Sequence, residues 1–285
     1  MKLANFEAGA GPQLGVVTGD RVVPLHNAAP GLPGDMIGLI STWRTAERDV
    51  RRIAEAAAGA LPLDQVRLLA PIRRPGKIMA IGLNYADHIA ESGAETPAQQ
   101  IWFSKAPTAA NGPYDPIQIP KVSQAVDYEA ELVAVIGPGG RHIAKADAAG
   151  AVFGYCCGND TTERAWQMRT TQWVLGKSFD SHAPFGPWIT TADEVADPHA
   201  LSIRCLVNGE VRQDSNTRHL VFNLWDQIEQ LSQAMTLEPG DLIFTGTPGG
   251  VGAAMKPRRF LKDGDRVRVE IEGLGALDNP CANEA

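Results

Sequence analysis

The sequence predicts an α+β chain rich in strands. Three observations carry this. Short apolar runs bounded by Gly, Pro, Asn and Asp recur along the chain, at 78–81, 132–136, 152–157 and 242–244. Two stretches read as β-hairpins, 15–24 around Gly19-Asp20 and 201–213 around Asn208-Gly209. Only two long stretches carry helical spacing, 42–58 and 220–235.

The totals set the frame. The chain has 285 residues, with 44% hydrophobic and 21% charged residues, an ordinary globular balance. Its 26 Lys and Arg against 33 Asp and Glu leave a net charge of −7. No basic run breaks that balance, so nucleic acid is not an expected partner. No apolar run is long enough to span a bilayer, and Met1–Phe6 lacks a signal-peptide core. Four cysteines without C-x-x-C spacing point to a reduced, cytoplasmic protein with no zinc cluster or disulfide framework.

Residues 1–70 read as a small leading α+β unit. The 15–24 hairpin comes first. A helix follows over Thr42–Ala58, capped by Ser41 or Thr42 and stopped at Gly59, with a mixed-charge solvated face. Pro71-Ile-Arg-Arg-Pro-Gly76 has linker character, which divides the chain into 1–70 and 71–285.

Ile78–Ile81 reads as a buried strand entering Gly82-Leu-Asn-Tyr-Ala-Asp-His-Ile-Ala-Glu91. Asn84 is a candidate cap for a helical turn from Tyr85. On that turn His88 and Glu91 are i and i+3. A carboxylate beside an imidazole makes a general base, but the pair also reads as an exposed His with a solvated Glu. Lys105, after Trp102-Phe-Ser, reads as a surface lysine or a contact for an anion.

The central stretch is Asp127-Tyr-Glu-Ala-Glu-Leu-Val-Ala-Val-Ile136. Strand alternation puts Glu129 and Glu131, with Asp127, on one side, while Leu132, Val133, Val135 and Ile136 are buried. Adjacent buried carboxylates repel unless a proton or cation lies between them, and hard oxygen ligands suit Mg²⁺, Mn²⁺ or Ca²⁺. An exposed acidic strand end is the plain alternative. The apolar run 152–157 ends in Asn159-Asp160, placing Asp160 at a strand end where rigid scaffolds carry ligands. Glu163, Arg164 and Gln167 share a face of a turn starting at Thr161. Lys177, Asp180 and His182 lie in a Gly/Pro-punctuated loop, His182 reading as structural. Gly176-Lys-Ser178 lacks the upstream glycine of a phosphate loop.

Downstream, the apolar stripe of 220–235 is core. Leu242–Phe244 leads into Thr245-Gly-Thr-Pro-Gly-Gly-Val-Gly252, whose backbone N–H groups can serve an anion. Arg266–Glu272 alternates as a half-exposed strand.

Taken in order, Gly82–Glu91, Asp127-Tyr-Glu-Ala-Glu-Leu132, Gly158-Asn-Asp-Thr-Thr-Glu-Arg164 with Gln167, Gly176-Lys-Ser-Phe-Asp180 and Leu237–Pro248 closely resemble the fumarylacetoacetate hydrolase family over roughly residues 75–277. Residues 1–70 match the small N-terminal domain of many bacterial members. The resemblance implies a β-rich α+β fold, a mixed β-sandwich roll wrapped around the active site. It implies that Glu129, Glu131 and Asp160 bind Mg²⁺ or Mn²⁺, with Ca²⁺ able to replace them in crystals. It implies His88 and Glu91 as the water-activating dyad, Lys177 beside the substrate as added positive charge, and Gln167, Arg164 and Thr247 as substrate-side groups.

The implied activity is metal-dependent hydrolysis of the C–C bond of a 1,3-diketo acid, of acylpyruvate, fumarylpyruvate or 2,4-diketo-3-deoxy sugar acid type, to pyruvate or a related 2-keto acid and a carboxylic acid. Alternatives are an oxaloacetate-type decarboxylase, a 2-hydroxyhepta-2,4-diene-1,7-dioate isomerase/decarboxylase, and a non-catalytic protein binding a metal–dicarboxylate complex. A small keto acid and a second copy of the chain are the expected partners.

Overall fold

The computed structural model describes residues 1–9 and 11–285. Two sheets hold nearly all the strands. The larger has twelve strands. Across it run 61–62, 21–24, 12–18, 2–7, 183–191, 152–159, 130–136, 242–244, 78–82 and 101–105, with 67–69 paired to 2–7 and 110–111 to 183–191. Most neighbours are antiparallel, but 242–244 runs parallel to 78–82, so the sheet is mixed. The second sheet orders 210–216, 202–207, 266–271, 275–283 and 117–119.

Side-chain alternation explains how these layers meet. On the strand Ala130–Ile136, Leu132, Ala134 and Ile136 face a core shared with Ile203, Cys205, Val267, Val269 and Leu277 of the smaller sheet. Val133 and Val135 face the opposite core, built with Met36, Leu39, Val50 and Ile53 from helices Met36–Ser41 and Trp43–Ala56. A strand covered on both faces reads as a continuous apolar run, which is why 132–136 lacks polar alternation. Glu131 shares the parity of Val133 and Val135. The β-rich α+β fold with mixed sheets is therefore as the sequence reads. The leading segment continues the larger sheet, since Lys2–Glu7 pairs with Ala183–Thr191 through Lys2 and Leu3.

Element ends differ in instructive ways. The first long helix spans Trp43–Ala56 and ends because Ala57 turns left-handed (φ 47°), two residues before Gly59. The late helix spans Leu224–Ala234, not 220–235. Asn223 and Asp226 form a capping box, while Leu220 bridges instead to Tyr85. The Asn208-Gly209 hairpin forms with both residues at positive φ, as a type I′ turn requires. All four cysteines are buried and unbridged. Among the described residues, no helix is long and apolar enough to cross a membrane.

Candidate active site

The site gathers where strands 130–136 and 152–159 end side by side. Ala130 pairs with Asn159, so Glu129 and Asp160 lie just beyond that pair. Asn159 Oδ1 accepts the Glu129 N–H at 3.0 Å, and the Asp160 N–H donates to Glu129 O at 2.9 Å. These bonds lock the two ends in register. Glu129, Glu131 and Asp160 are buried and each offers an oxygen within 4.8 Å of the others. Asp127 departs from the expected alignment. The chain breaks strand geometry at 128–129, and Asp127 turns away to accept N–H bonds from Gly252 (2.8 Å) and Ala253 (2.9 Å) and to pair with Arg164.

Basic groups line the carboxylates. Lys177 Nζ reaches Glu129 Oε2 at 2.8 Å and Asp160 Oδ2 at 2.5 Å. Arg164 bridges Asp127 Oδ2 (2.9 Å) and Glu129 Oε1 (2.7 Å), and donates to Gln167 Oε1 at 3.0 Å. Lys105, the presumed surface lysine, is fully buried. Its Nζ lies 2.6 Å from Asp160 Oδ1 and 3.1 Å from Thr161 O. On the edge strand Ile101–Lys105 it points inward, on the same strand face as Phe103. Phe103 itself packs its ring 4.7 Å from Lys177 Nζ.

Four carboxylates, Asp127, Glu129, Glu131 and Asp160, thus face three cations, Lys105, Arg164 and Lys177. The imbalance falls on Glu131. Burial pushes its carboxyl well above the ordinary range, and the Asp160 and Glu129 charges push it further. The Gly246 N–H, 2.8 Å from Glu131 Oε2, only partly opposes this. For Glu129 burial acts upward too, but Lys177 and Arg164 prevail and hold it at about 2. Burial pulls the Lys105 ammonium down despite Asp160, whereas Asp160 and Glu129 carry Lys177 up against burial. A buried carboxylate without its own cation, in an all-oxygen group of three, fits a hard divalent ion.

His88 and Glu91 ride on the helix Ala86–Ser92, reached through a strained turn. Leu83 is left-handed (φ 53°), a costly conformation for a branched residue. Asn84, read as a cap, instead holds that turn down. Its amide donates to Phe222 O (3.0 Å) and Thr245 O (2.7 Å), and its Oδ1 accepts the Phe222 N–H (2.8 Å). His88 Nδ1 lies 3.6 Å from Glu91 Oε2, which also accepts the Gly250 N–H at 2.9 Å. The glycine-rich loop therefore spends its N–H groups on the protein's own anions: Gly246 on Glu131, Gly250 on Glu91 and Gly252 on Asp127. Thr247 is buried and accepts from Gln213 Nε2 at 2.8 Å. Gln213 was not singled out in the sequence, yet its Oε1 also fixes the Ala130 N–H at 2.9 Å.

The remaining candidates separate from the centre. Glu163 caps its own short helix through the Trp166 N–H at 2.6 Å, while Arg164 and Gln167 bond to each other at 3.0 Å. Asp180 is exposed. His182 is buried with Nε2 donating to Gln118 O at 2.9 Å, the structural role expected of it.

The model of the fumarylacetoacetate (FAA) hydrolase C-terminal domain matches residues 77–282, and an Rv2993c-like N-terminal model matches residues 1–71. A mitochondrial oxaloacetate tautomerase from Homo sapiens is 45% identical over 285 residues, covering 98% of this chain and 91% of that protein. Maleylpyruvate hydrolase from Sphingobium sp. SYK-6, solved with manganese(II) and pyruvate, is 36% identical with TM-score 0.82, each chain covered completely. A 2-hydroxyhepta-2,4-diene-1,7-dioate isomerase from Mycobacterium marinum is 32% identical with TM-score 0.77, covering 100% of this chain and 99% of that one. With the motifs, the fold and these matches in agreement, the chain belongs to the fumarylacetoacetate hydrolase family.

Proposed function

We propose that this protein is a divalent-metal-dependent enzyme that interconverts the keto and enol forms of oxaloacetate or a closely similar 2-keto dicarboxylate. The observation that carries the reading is the pairing of one proton-transfer group, His88 with Glu91, with a cation-lined centre suited to an enolate. Keto–enol exchange needs those two parts and no nucleophile. Whole-length similarity to an oxaloacetate tautomerase at 45% identity supports the substrate class.

Mg²⁺ or Mn²⁺ would be held by Glu129, Glu131 and Asp160, and when bound supplies a Lewis acid toward the keto oxygen. His88 takes the proton from C3, and the C–H electron pair becomes the C2=C3 bond. Glu91, fixed by the Gly250 N–H, orients the imidazole and offsets its charge. The protonated His88 then gives a proton to the oxygen on C2, which completes the enol and returns the imidazole to its neutral form. Lys177 sets positive charge beside the forming enolate. Gln167 and Thr247 line the substrate side, and Arg164 holds Glu129 in place.

Hydrolysis of an acylpyruvate is the second reading, supported by the 36% identical maleylpyruvate hydrolase. His88 would then deprotonate water, and the same centre would receive the pyruvate enolate as the C–C bond breaks. The cytoplasm and a homodimer complete the proposal.

A panel assay separates the readings. The protein is incubated with Mn²⁺ and, separately, EDTA on enol-oxaloacetate, maleylpyruvate, fumarylpyruvate and acetylpyruvate. Accelerated decay of the enol absorbance, without CO₂ or pyruvate and abolished by EDTA, is expected. Pyruvate plus the matching acid from an acylpyruvate, with no effect on enol decay, would replace the tautomerase by a hydrolase.

A further inference from the structure

The helix that carries His88 has little to hold it by packing. Of residues Ala86–Ser92 only Ile89 is buried, and residues 93–100 beyond it form neither helix nor strand. Short elements with few buried apolar contacts open at low free-energy cost. His88 nevertheless has to be held at a fixed place relative to the carboxylate centre.

Asp87 supplies the missing anchorage. Its Oδ2 accepts the Ser215 hydroxyl at 2.6 Å. Its Oδ1 accepts the His88 N–H at 2.8 Å and a longer contact from the Gly249 N–H at 3.4 Å. One carboxylate thus joins three elements: the His88 helix, the glycine-rich loop and the strand Glu210–Asn216 of the smaller sheet. Hydrogen bonds to a charged acceptor are stronger than neutral ones. Gly249 fits closely here, because a Cβ on it would lie 3.4 Å from both Asp87 O and Glu91 Oε2.

We propose that Asp87 and Ser215 form a latch that positions His88, so that Ser215, on a different sheet, is a positioning residue of the reaction. The latched helix presents the imidazole to the substrate; breaking the Ser215–Asp87 bond frees the helix to open. This rests on the reading of His88 as the proton-transfer group, and Glu91–Gly250 forms a second tie on the same helix.

The test compares Ser215→Ala, Ser215→Thr and His88→Ala in the full chain with Mn²⁺, using steady-state kinetics on enol-oxaloacetate and amide hydrogen exchange. Ser215→Ala is expected to lower kcat by about tenfold and to speed exchange of the 86–92 amides by a similar factor. KM and Mn²⁺ affinity stay as in the wild type, and Ser215→Thr, which keeps the hydroxyl, restores both readouts. Unchanged exchange across 86–92 in Ser215→Ala overturns the latch, whatever happens to activity. Faster exchange with unchanged kcat, while His88→Ala is inactive, overturns the positioning role. An active His88→Ala would contradict the proton-transfer reading instead, a result that leaves the exchange data to decide the latch by themselves.

Discussion

At the scale of single residues, the site is governed by an unequal match of buried charges. Lys105 shows the cost of that arrangement. Its removal would leave Asp160 with one lysine partner fewer in a fully buried place. Lys105→Met is expected to destabilise the ion-free protein by about 3 kcal/mol, because losing one partner of a buried pair leaves an uncompensated charge. Urea unfolding with EDTA measures this, and added Mn²⁺ should shrink the loss. Equal stability of variant and wild type would refute it. His182 gives a pH prediction. Burial pulls its imidazole from 6.5 down to about 4. The unfolded chain therefore takes up the proton first as pH falls, so the contribution is intact above about pH 6.5 and lost towards pH 4. The loss amounts to about 3 kcal/mol. The stability of His182→Gln should fall less steeply than wild type across that window; parallel curves would contradict it. Much of this centre was legible. Glu129, Glu131 and Asp160, and His88 with Glu91, were picked out by the family resemblance, because strand alternation and helical spacing alone also fit an exposed acidic strand end and a solvated His–Glu pair. Lys105 was not legible, because nothing local distinguishes an inward-facing lysine on an edge strand from a solvated one. Asp127 misled because the strand breaks between it and Glu129.

At the scale of elements, two very short helices, Arg164–Gln167 and Val174–Lys177, place Arg164, Gln167 and Lys177. Their close approach depends on Gly176. A Cβ there would lie 2.3 Å from the Gln167 nitrogen and 2.5 Å from its Cα, both backbone atoms that cannot rotate away. Gly176→Ala is expected to cost about 2 kcal/mol of stability through overpacking. It should also reduce kcat by displacing Lys177. Thermal unfolding and enol-decay kinetics check both, and a variant with wild-type values would show that the helices part freely. Neither helix has the length for a periodic signal, so the sequence placed their residues only as loops and turns. The long helices were read correctly in their middles and wrongly at their ends. The first stops where Ala57 turns left-handed and the second starts at the Asn223–Asp226 box, local choices that apolar spacing does not report.

At the scale of the whole molecule, the double-sided burial of the strand Ala130–Ile136 fixes the carboxylates against rigid cores. The apolar runs and hairpin turns made the strand-rich character readable, while the arrangement of the sheets came only from the family resemblance. The joining of the first strand to Ala183–Thr191 was not readable, since pairing across such a separation leaves no local mark. The proposed homodimer is checked by light scattering, which should give twice 30.5 kDa; a monomer would rule it out.

The proposed chemistry depends on the carboxylate centre. Calorimetric titration of Mn²⁺ into the wild type and into Glu131→Gln and Asp160→Ala tests it most directly. One ion per chain in the wild type, with binding lost in both variants, is the predicted result. Unchanged Mn²⁺ affinity in both variants would contradict it and remove the metal from the proposed chemistry.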